Sequence, residues 1–194
     1  MSGFRPMLLL IYLLLISCSH DYDSNTLDLG FYQWNFWTDE KVVANGKNNP
    51  GATFGSGEVQ VHPPSCGWDV LHRGNGKLVR IPARAGDHFS PDYTGVVWLH
   101  TRFTLPEVWS GTDITLSFEG VDGHTEVYLN EQLVGTQART GDPFSFGLDG
   151  IYYTRDNHLC VRITSGDPGR AGVTGKILLK SSPKGGKSPG SQAS

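Results

Sequence analysis

The chain has 194 residues, with 16 basic and 19 acidic side chains and a formal net charge of −3. This length suits one domain and is too short for two large ones. A nucleic-acid partner would require clustered basic residues, so the charge balance argues against that class. With 25 glycines, 11 prolines and 38% hydrophobic residues, the composition indicates a turn-rich all-β fold that has enough apolar side chains for a core.

Residues 1–18 have the pattern of a lipoprotein-type signal peptide. Arg5 supplies the positive charge and Met7 to Ile16 form the apolar run, which is shorter than the roughly 20 residues of a membrane-spanning helix. The segment Leu15-Ile16-Ser17-Cys18 resembles the bacterial lipobox, whose cysteine is lipidated; the alternative is a plain signal peptide with an incidental cysteine. We therefore expect an exported protein that is held in the bacterial cell envelope through lipidated Cys18, or else a secreted one.

The remaining chain divides by composition into a tether, a domain and a tail. Residues 19–26 are polar and predict a short tether, residues 27–180 contain the alternating apolar segments, and residues 181–194 are Ser, Gly, Pro and Lys without large hydrophobic side chains. Within the domain, Lys41 to Gly57 predicts a loop, and Val59 and Val61 begin a strand. We expect the tail to be disordered.

The stretch from Gly95 to Gly135 predicts an antiparallel meander. Apolar residues alternate with polar ones at Ile114, Leu116 and Phe118, which is the period of a half-buried strand. A tight hairpin follows around Asn130, a residue that suits the positive φ of such a turn. The predicted core residues are Phe103, Phe118, Val127, Leu129, Leu159 and Val161.

Several short segments occur in the order found in one family. They are Gly95-Val96-Val97-Trp98, Arg102-Phe103-Thr104-Leu105-Pro106, Phe118-Glu119-Gly120-Val121-Asp122, Val127-Tyr128-Leu129-Asn130 and Val134-Gly135, followed by Pro143-Phe144-Ser145-Phe146 and Asn157 to Ile163. In this order they resemble the sugar-binding N-terminal domain of family 2 glycoside hydrolases, the β-galactosidases, β-glucuronidases and β-mannosidases. The resemblance runs from about Leu78 to Leu179 and implies an antiparallel jelly-roll β-sandwich, similar to galactose-binding domains, with eight to ten strands.

The same resemblance implies a role in β-glycoside degradation without catalysis by this chain. A retaining glycosidase requires two carboxyl groups about 5 Å apart, and in the resembled enzymes both lie on a (β/α)8 barrel of about 250 residues. We expect Glu119 and Asp122 to bind backbone N–H groups rather than to act as acid and nucleophile. The expected partners are a carbohydrate and a separate glycosidase catalytic domain, with no cofactor. The alternatives are a structural or protein-interaction β-sandwich, or a fragment of a larger β-galactosidase-like hydrolase.

Three residues are the candidates for substrate binding. In the family, an acid in the loop after the strand that corresponds to Asn157 to Ile163 reaches the catalytic pocket, and Asp167 occupies that place here. Trp34 and Trp68 could stack on sugar rings, and Trp37 and Trp109 are further tryptophans available for such stacking. Tryptophans exposed on one concave face would favour carbohydrate binding, and complete burial would favour an interaction domain.

Cysteine and histidine usage leaves two further questions. Cys66 and Cys160 could form a disulfide outside the cytoplasm, provided that their Cα atoms lie within about 7 Å; otherwise both are free thiols. The seven histidines show no H-x-x-x-H spacing and the cysteines no C-x-x-C, so no histidine or cysteine metal site is predicted. Some jelly-rolls bind a structural cation through loop carboxylates and carbonyls, and Asp87, Asp92 or Asp122 could do so here.

Overall fold

The computed structural model describes residues 25–39, 62–138, 141–148 and 150–185. The predictions for Cys18, for most of the tether, for the loop from Lys41 to Gly57 and for the strand at Val59 and Val61 lie outside these residues. Among the helices within the described ranges, none is long and apolar enough to cross a membrane.

The described residues form thirteen antiparallel strands in three sheets. The four-stranded sheet has the order β1-β13-β6-β10 and comprises β1 (Thr26–Asp28), β6 (Asp113–Phe118), β10 (Phe144–Gly147) and β13 (Ile177–Ser182). The six-stranded sheet has the order β3-β2-β5-β11-β8-β9 and comprises β2 (Trp34–Thr38), β3 (Lys77–Val79), β5 (Gly95–Phe103), β8 (His124–Leu129), β9 (Gln132–Gln137) and β11 (Asn157–Ser165). The third sheet has the order β4-β12-β7 and comprises β4 (Ala83–Arg84), β7 (Val121–Asp122) and β12 (Gly172–Val173).

Helical structure in the described ranges is confined to short segments. They are α1 (Trp68–His72), α2 (Ala85–His88) and single 3-10 turns at Leu29–Phe31 and Glu107–Trp109. The all-β prediction is confirmed. The strand number exceeds the expected eight to ten because the third sheet contributes three two-residue strands. Sequence alternation cannot indicate strands of that length.

One hydrophobic cluster joins the four-stranded and six-stranded sheets. All six predicted core residues are buried in it: Phe103, Phe118, Val127, Leu129, Leu159 and Val161. Along β6, buried and half-buried residues alternate strictly, as the period-two pattern predicts. Phe118 also stacks on Phe144 of the neighbouring strand with ring centroids 4.7 Å apart. Burial of apolar surface between the two sheets is therefore the main stabilising contribution to the fold.

The hairpin between β8 and β9 confirms the prediction for Asn130. Asn130 and Glu131 have φ values of 51° and 69°, the positive values that a two-residue turn matched to strand twist requires. The Asn130 amide donates to the Ile151 carbonyl oxygen at 3.0 Å and to Asn157 Oδ1 at 3.1 Å, while its Oδ1 accepts from the His158 N–H at 2.9 Å. This one side chain therefore connects the hairpin to the start of β11.

Two predicted boundaries are corrected by pairing along the strands. Thr26, placed in the tether, pairs with Lys180 as the first residue of β1. Ser181 and Ser182, placed in the disordered tail, extend β13 along β6 because β6 continues to Asp113 beside them. After Ser65, residues 68–72 form α1 and fold over the large sheet.

Candidate functional site

The outer face of the six-stranded sheet carries a group of buried polar and charged side chains. Strand alternation places Val97, Val127 and Val161 on the inner face, so their neighbours in sequence point the opposite way. The outward side chains include Trp98 and His100 on β5, Glu126 and Tyr128 on β8, and Cys160 and Arg162 on β11, and all of them are buried.

A second hydrophobic cluster explains that burial. Leu71 of α1 packs with Val96, Trp98, Tyr128 and Cys160, and Trp37, Trp68 and Leu133 close the cluster at its margin. The Trp68 ring meets Tyr128 at a centroid distance of 5.2 Å and meets Trp98 edge-on at 5.7 Å. The segment with α1 therefore covers an apolar patch on a face that otherwise bears polar and charged groups.

A groove of about 480 Å³ opens beside this cover. Its lining residues are Trp37, Thr38, Asp39, Ser65, Cys66, Val70, Leu71 and Trp98. Asp39 accepts hydrogen bonds from Trp98 Nε1 and from the Ser65 N–H, both at 3.1 Å, and from the Ser65 hydroxyl. The groove thus combines an aromatic wall with a fixed carboxylate and hydroxyls, and its volume lies in the usual range for small-ligand sites, about 300–1,000 Å³.

A buried carboxylate, Glu126, is neutralised and fully hydrogen-bonded within the same face. Arg162 Nη1 donates to Glu126 Oε1 at 2.5 Å, and the Tyr128 hydroxyl donates to Oε2 at 2.5 Å. His62 Nδ1 lies 3.0 Å from the same Oε2. Burial and the hydrogen bond to Glu126 raise the pKa of the Tyr128 hydroxyl. These contacts hold the segment before α1 onto the sheet.

Three histidines from separate elements meet at the C-terminal end of α1. His72 ends α1, His100 lies on β5 and His158 on β11, and the ring centroid of His72 is 5.4 Å from that of His100 and 4.1 Å from that of His158. Burial lowers the pKa of His100 to about 3 and that of His158 to about 4, with further lowering by the neighbouring histidines. Burial also lowers the pKa of His72. All three imidazoles are therefore neutral at pH 7 and retain one lone pair each.

Asp167 lies on an exposed loop at the rim of the sandwich. The Asp167 N–H donates to Ser165 Oγ at 3.1 Å, and its carbonyl oxygen accepts from the Arg170 N–H at 3.3 Å. The Gly169 N–H donates to the Tyr93 carbonyl oxygen at 2.7 Å, which ties this loop to the segment before β5. The backbone of Asp167 is thus held in place while its carboxylate faces solvent.

The two acidic residues near that rim have structural roles. Glu119 Oε2 accepts from the Lys176 backbone N–H at 3.2 Å, as predicted for a capping carboxylate. Asp122 is buried and pairs with Arg84 at 3.1 Å and Arg170 at 3.2 Å rather than with backbone N–H groups. These ion pairs join β4, β7 and the loop after Asp167.

The structure corrects the expectation for Trp34 and for the disulfide. Trp34 has no exposed surface, lies in the main core and donates from Nε1 to the Leu29 carbonyl oxygen at 2.9 Å, so it is not accessible to a sugar. Trp109 is also buried, whereas Trp37 and Trp68 are half-buried on the outer face. Cys66 and Cys160 are not joined by a disulfide, because Cys66 lies exposed in the turn before α1 and Cys160 is enclosed in the middle of the sheet.

The sequence analysis did not identify Asp39 or the histidine cluster. Asp39 is separated from Ser65 by 25 intervening positions, and His72, His100 and His158 come from three elements. Neither set has local spacing. The available signal was alternation: Trp98 and His100 alternate with apolar residues on β5, and Cys160 and Arg162 alternate with apolar residues on β11.

Comparison with known proteins identifies related domains. Residues 68–171, more than half of the chain, match the family described as glycosyl hydrolases family 2, sugar binding domain. The chain is 33% identical over 103 residues to the β-galactosidase large subunit of Lactobacillus helveticus, and this alignment covers 49% of the chain and 16% of that protein.

Solved structures show the same fold. A β-glucuronidase from an uncultured Clostridium species aligns with a TM-score of 0.58 and 16% identity over 82% of this chain and 29% of its own. A Bacteroides uniformis β-glucuronidase aligns with a TM-score of 0.58 and 20% identity over 81% of this chain and 18% of its own. The chain thus spans less than a third of each of these relatives, and the resemblance inferred from its motifs is confirmed.

Proposed function

Because this chain belongs to the sugar-binding domains of family 2 glycosyl hydrolases, we propose that it is a non-catalytic domain that binds a β-glycoside. The observation that carries the proposal is the groove between Trp37 and Ser65, where an indole wall adjoins the carboxylate of Asp39. A pyranose ring has an apolar face of C–H groups and a rim of hydroxyls. The first suits stacking on an aromatic side chain, and the second suits hydrogen bonding to the carboxylate and hydroxyl oxygens.

The roles of the described acidic residues support a non-catalytic assignment. A general acid and a nucleophile must be placed at fixed separation beside the scissile bond. Glu126 is enclosed by Arg162 and Tyr128, and Asp122 is held by two arginines. Glu119 is engaged by a backbone N–H. Each of these carboxylates already stabilises the fold.

We further propose that Asp167 acts when a glycosidase catalytic domain is docked at the rim. Its loop is fixed by Tyr93 and Arg170 while its carboxylate is exposed, so it is positioned to complete a pocket on another domain. The relatives named above are a β-galactosidase and a β-glucuronidase, which supports a role in carbohydrate metabolism for such an assembly.

Binding of sugar in the groove is tested by titrating the purified chain with a panel of β-linked oligosaccharides. Trp37→Ala should weaken binding about tenfold, since an aromatic contact of about 1.4 kcal/mol corresponds to that factor. Tyr153→Ala removes an aromatic residue that is also solvent-accessible but lies outside the groove, and should leave affinity unchanged. Equal losses in both variants would contradict the assignment of the groove.

The non-catalytic assignment is tested on chromogenic β-galactosides, β-glucuronides and β-mannosides. The isolated chain should show no turnover, and neither Glu119→Ala nor Asp167→Ala should change that result. Turnover by the chain that disappears in Glu119→Ala would show an active site in the loop after β6 and overturn the proposal.

A protein-interaction role is the second candidate, favoured by apolar side chains at the surface. Phe31 and Val108 are each 78% exposed, and Leu78 is 59% exposed. Paired Ala substitutions at Phe31 and Val108 should weaken association with a catalytic domain while leaving sugar binding intact if these residues form the docking surface. Unchanged association would remove this candidate.

We also propose that the chain is exported and anchored in the bacterial cell envelope through a lipid on Cys18. The support is the Leu15-Ile16-Ser17-Cys18 motif after an apolar run. Multiple acyl chains anchor a protein stably where one chain gives only reversible binding. Cys18→Ala should release the protein from the membrane fraction or leave the signal segment uncleaved, whereas Cys66→Ala should do neither.

A further inference from the structure

Two imidazoles and a thiol converge under the end of α1. One ring nitrogen each from His72 and His100 and the sulfur of Cys160 lie within 4.8 Å of one another. His100 and Cys160 are at most 1% exposed, and the His72 side chain is 17% exposed. The three ligand-type groups come from α1, β5 and β11, so the covering helix and two central strands meet at this point.

Two nitrogens of this cluster are buried without a hydrogen-bond partner. Within the described part of the chain, His72 Nε2 and His100 Nδ1 have no partner. Buried polar atoms are paired in the large majority of cases, and each exception calls for an explanation such as an ion. In the tautomers whose protons lie on His72 Nδ1 and His100 Nε2, the lone pairs of these two unpartnered nitrogens are available to a metal ion.

The opposite nitrogen of each ring lies near a neighbouring side chain. His100 Nε2 lies 3.0 Å from His158 Nδ1, within hydrogen-bond distance. His72 Nδ1 lies 3.7 Å from Glu131 Oε1, a separation longer than a hydrogen bond. Metal-binding histidines usually place one nitrogen on the metal and the other on a carboxylate or another acceptor that fixes the tautomer. The His100 contact has this arrangement, and Glu131 is the nearby carboxylate for His72.

We propose that His72, His100 and Cys160 bind a zinc-like first-row transition-metal ion. Two imidazole nitrogens with one thiolate are a ligand set typical of Zn²⁺, and a fourth position would be completed by water on the exposed side of His72. Ligand atoms in a tetrahedral zinc site are about 3–4 Å apart, so small side-chain rotations bring the three atoms from their present separation into coordination.

The ionisation states are compatible with coordination. Metal binding requires neutral imidazoles and a thiolate. Burial keeps His100 neutral, which favours coordination, and raises the pKa of the Cys160 thiol, which opposes it. The ion would therefore have to displace the thiol proton to solvent as the metal–sulfur bond forms. Bonds from the two imidazole nitrogens form in the same step, and the hydrated ion releases water ligands in exchange for the three protein ligands.

The site would fix one wall of the sugar-binding groove. Val70 and Leu71, which line the groove, immediately precede His72 on α1. An ion held by His72, His100 and Cys160 would join α1 to the middle of the sheet. The metal would thus be structural for the groove, and its binding does not depend on whether sugar is bound there.

The test is a titration of the full chain, purified with a non-thiol reductant and stripped of metal by a chelator. Zn²⁺ should bind with one-to-one stoichiometry. His100→Gln and Cys160→Ser should each weaken binding by more than about 100-fold. Substitution of a residue that only contacts a metal ligand typically weakens binding about 10–100-fold. Glu131→Gln should weaken it by about tenfold. Cys66→Ser and His88→Gln are the matched controls, since Cys66 and His88 lie outside the cluster, and both should bind like the parent chain.

Co²⁺ serves as the spectroscopic probe of the thiolate. The parent chain and Cys66→Ser should develop a sulfur-to-cobalt charge-transfer band, and Cys160→Ser should not. Circular dichroism verifies folding of each variant, and His72→Gln, altered at the partly exposed end of α1, provides a second ligand variant if His100→Gln does not fold. The proposal would be overturned if the folded parent chain did not bind Zn²⁺. It would also be overturned if Cys160→Ser and a folded histidine variant, His100→Gln or His72→Gln, both bound Zn²⁺ with unchanged affinity.

Discussion

The two faces of the six-stranded sheet are buried by different means. The inner face presents aliphatic side chains such as Leu99, Val127 and Val161 to the other sheet and belongs to one large apolar cluster. The outer face presents His100, Glu126, Cys160 and Arg162, yet these residues are as completely buried as the inner ones.

The two faces differ in the contacts that their side chains need from the elements packed against them. Apolar side chains need only close packing, which the four-stranded sheet provides. Buried charges and imidazoles must be paired and hydrogen-bonded, and the short segment from His62 to His72 supplies His62 for Glu126 and an imidazole for His100. A segment this small stabilises the outer face through specific contacts rather than through buried area.

Removing a large side chain from the inner core should have the largest effect. Phe118→Ala should lower the free energy of unfolding by about 3–5 kcal/mol, because the ring is 1% exposed and leaves a cavity beside Phe144. Denaturant titration measures the loss. Phe31→Ala, at a ring that is 78% exposed, is the control and should change stability by less than about 0.5 kcal/mol. A loss below about 1 kcal/mol in Phe118→Ala would mean that the inner face is not the main core.

Breaking the buried ion pair should be nearly as costly and tests the outer face. Arg162→Met leaves Glu126 buried without its cation and should cost about 3 kcal/mol, at the lower end for such pairs because Tyr128 and His62 still contact the carboxylate. Arg102→Met, at an ion pair whose two partners are both exposed, should cost less than about 1 kcal/mol. Similar small losses in both variants would show that water solvates the Glu126 carboxylate on the outer face.

The inner face could be predicted from sequence because its signal is local. The alternation of Ile114, Leu116 and Phe118 determines both the strand and its buried side, and the motif that ends at Asn130 predicts the turn. The family and the all-β fold followed from the order of such segments. Hydrophobic periodicity sufficed wherever one apolar face meets another.

The outer face could not be predicted because its contacts join distant positions. Alternation within a single strand does not show that α1 covers the face that bears His100 and Cys160, or that His72 reaches them. The same limit explains the error for Trp34: the density of aromatic residues did not show which ring faces the core. The possible disulfide failed for a similar reason, since the separation of Cys66 and Cys160 depends on the path of the covering segment.

Loosening the cover should have a moderate effect and should expose the outer face. Leu71→Ala should cost about 2 kcal/mol, because a fully buried leucine is truncated where a half-exposed helix can partly relax into the space. In a chain that carries Cys18→Ser and Cys66→Ser, it should also make the Cys160 thiol react faster with a disulfide reagent, since Leu71 packs in the cluster that encloses that sulfur. Val70→Ala on the same helix, at a half-buried position, is the control and should change the reaction rate much less. Equal rates in Leu71→Ala and its parent would show that α1 does not shield Cys160.

The smallest effect concerns pH and one imidazole on the outer face that lies outside the proposed metal site. Burial lowers the pKa of His124, while Glu126 opposes this lowering and Arg162 and His62 reinforce it. A histidine with a lowered folded-state pKa binds more protons when unfolded, so stability should fall as pH decreases below the ordinary value of about 6.5. His124→Gln should therefore reduce the loss of unfolding free energy between pH 7 and pH 5 relative to the parent chain, as measured by denaturant titration at each pH. If the His124→Gln profile is parallel to that of the parent, burial does not desolvate His124, and the outer face around Glu126 is more open to water than its packing indicates.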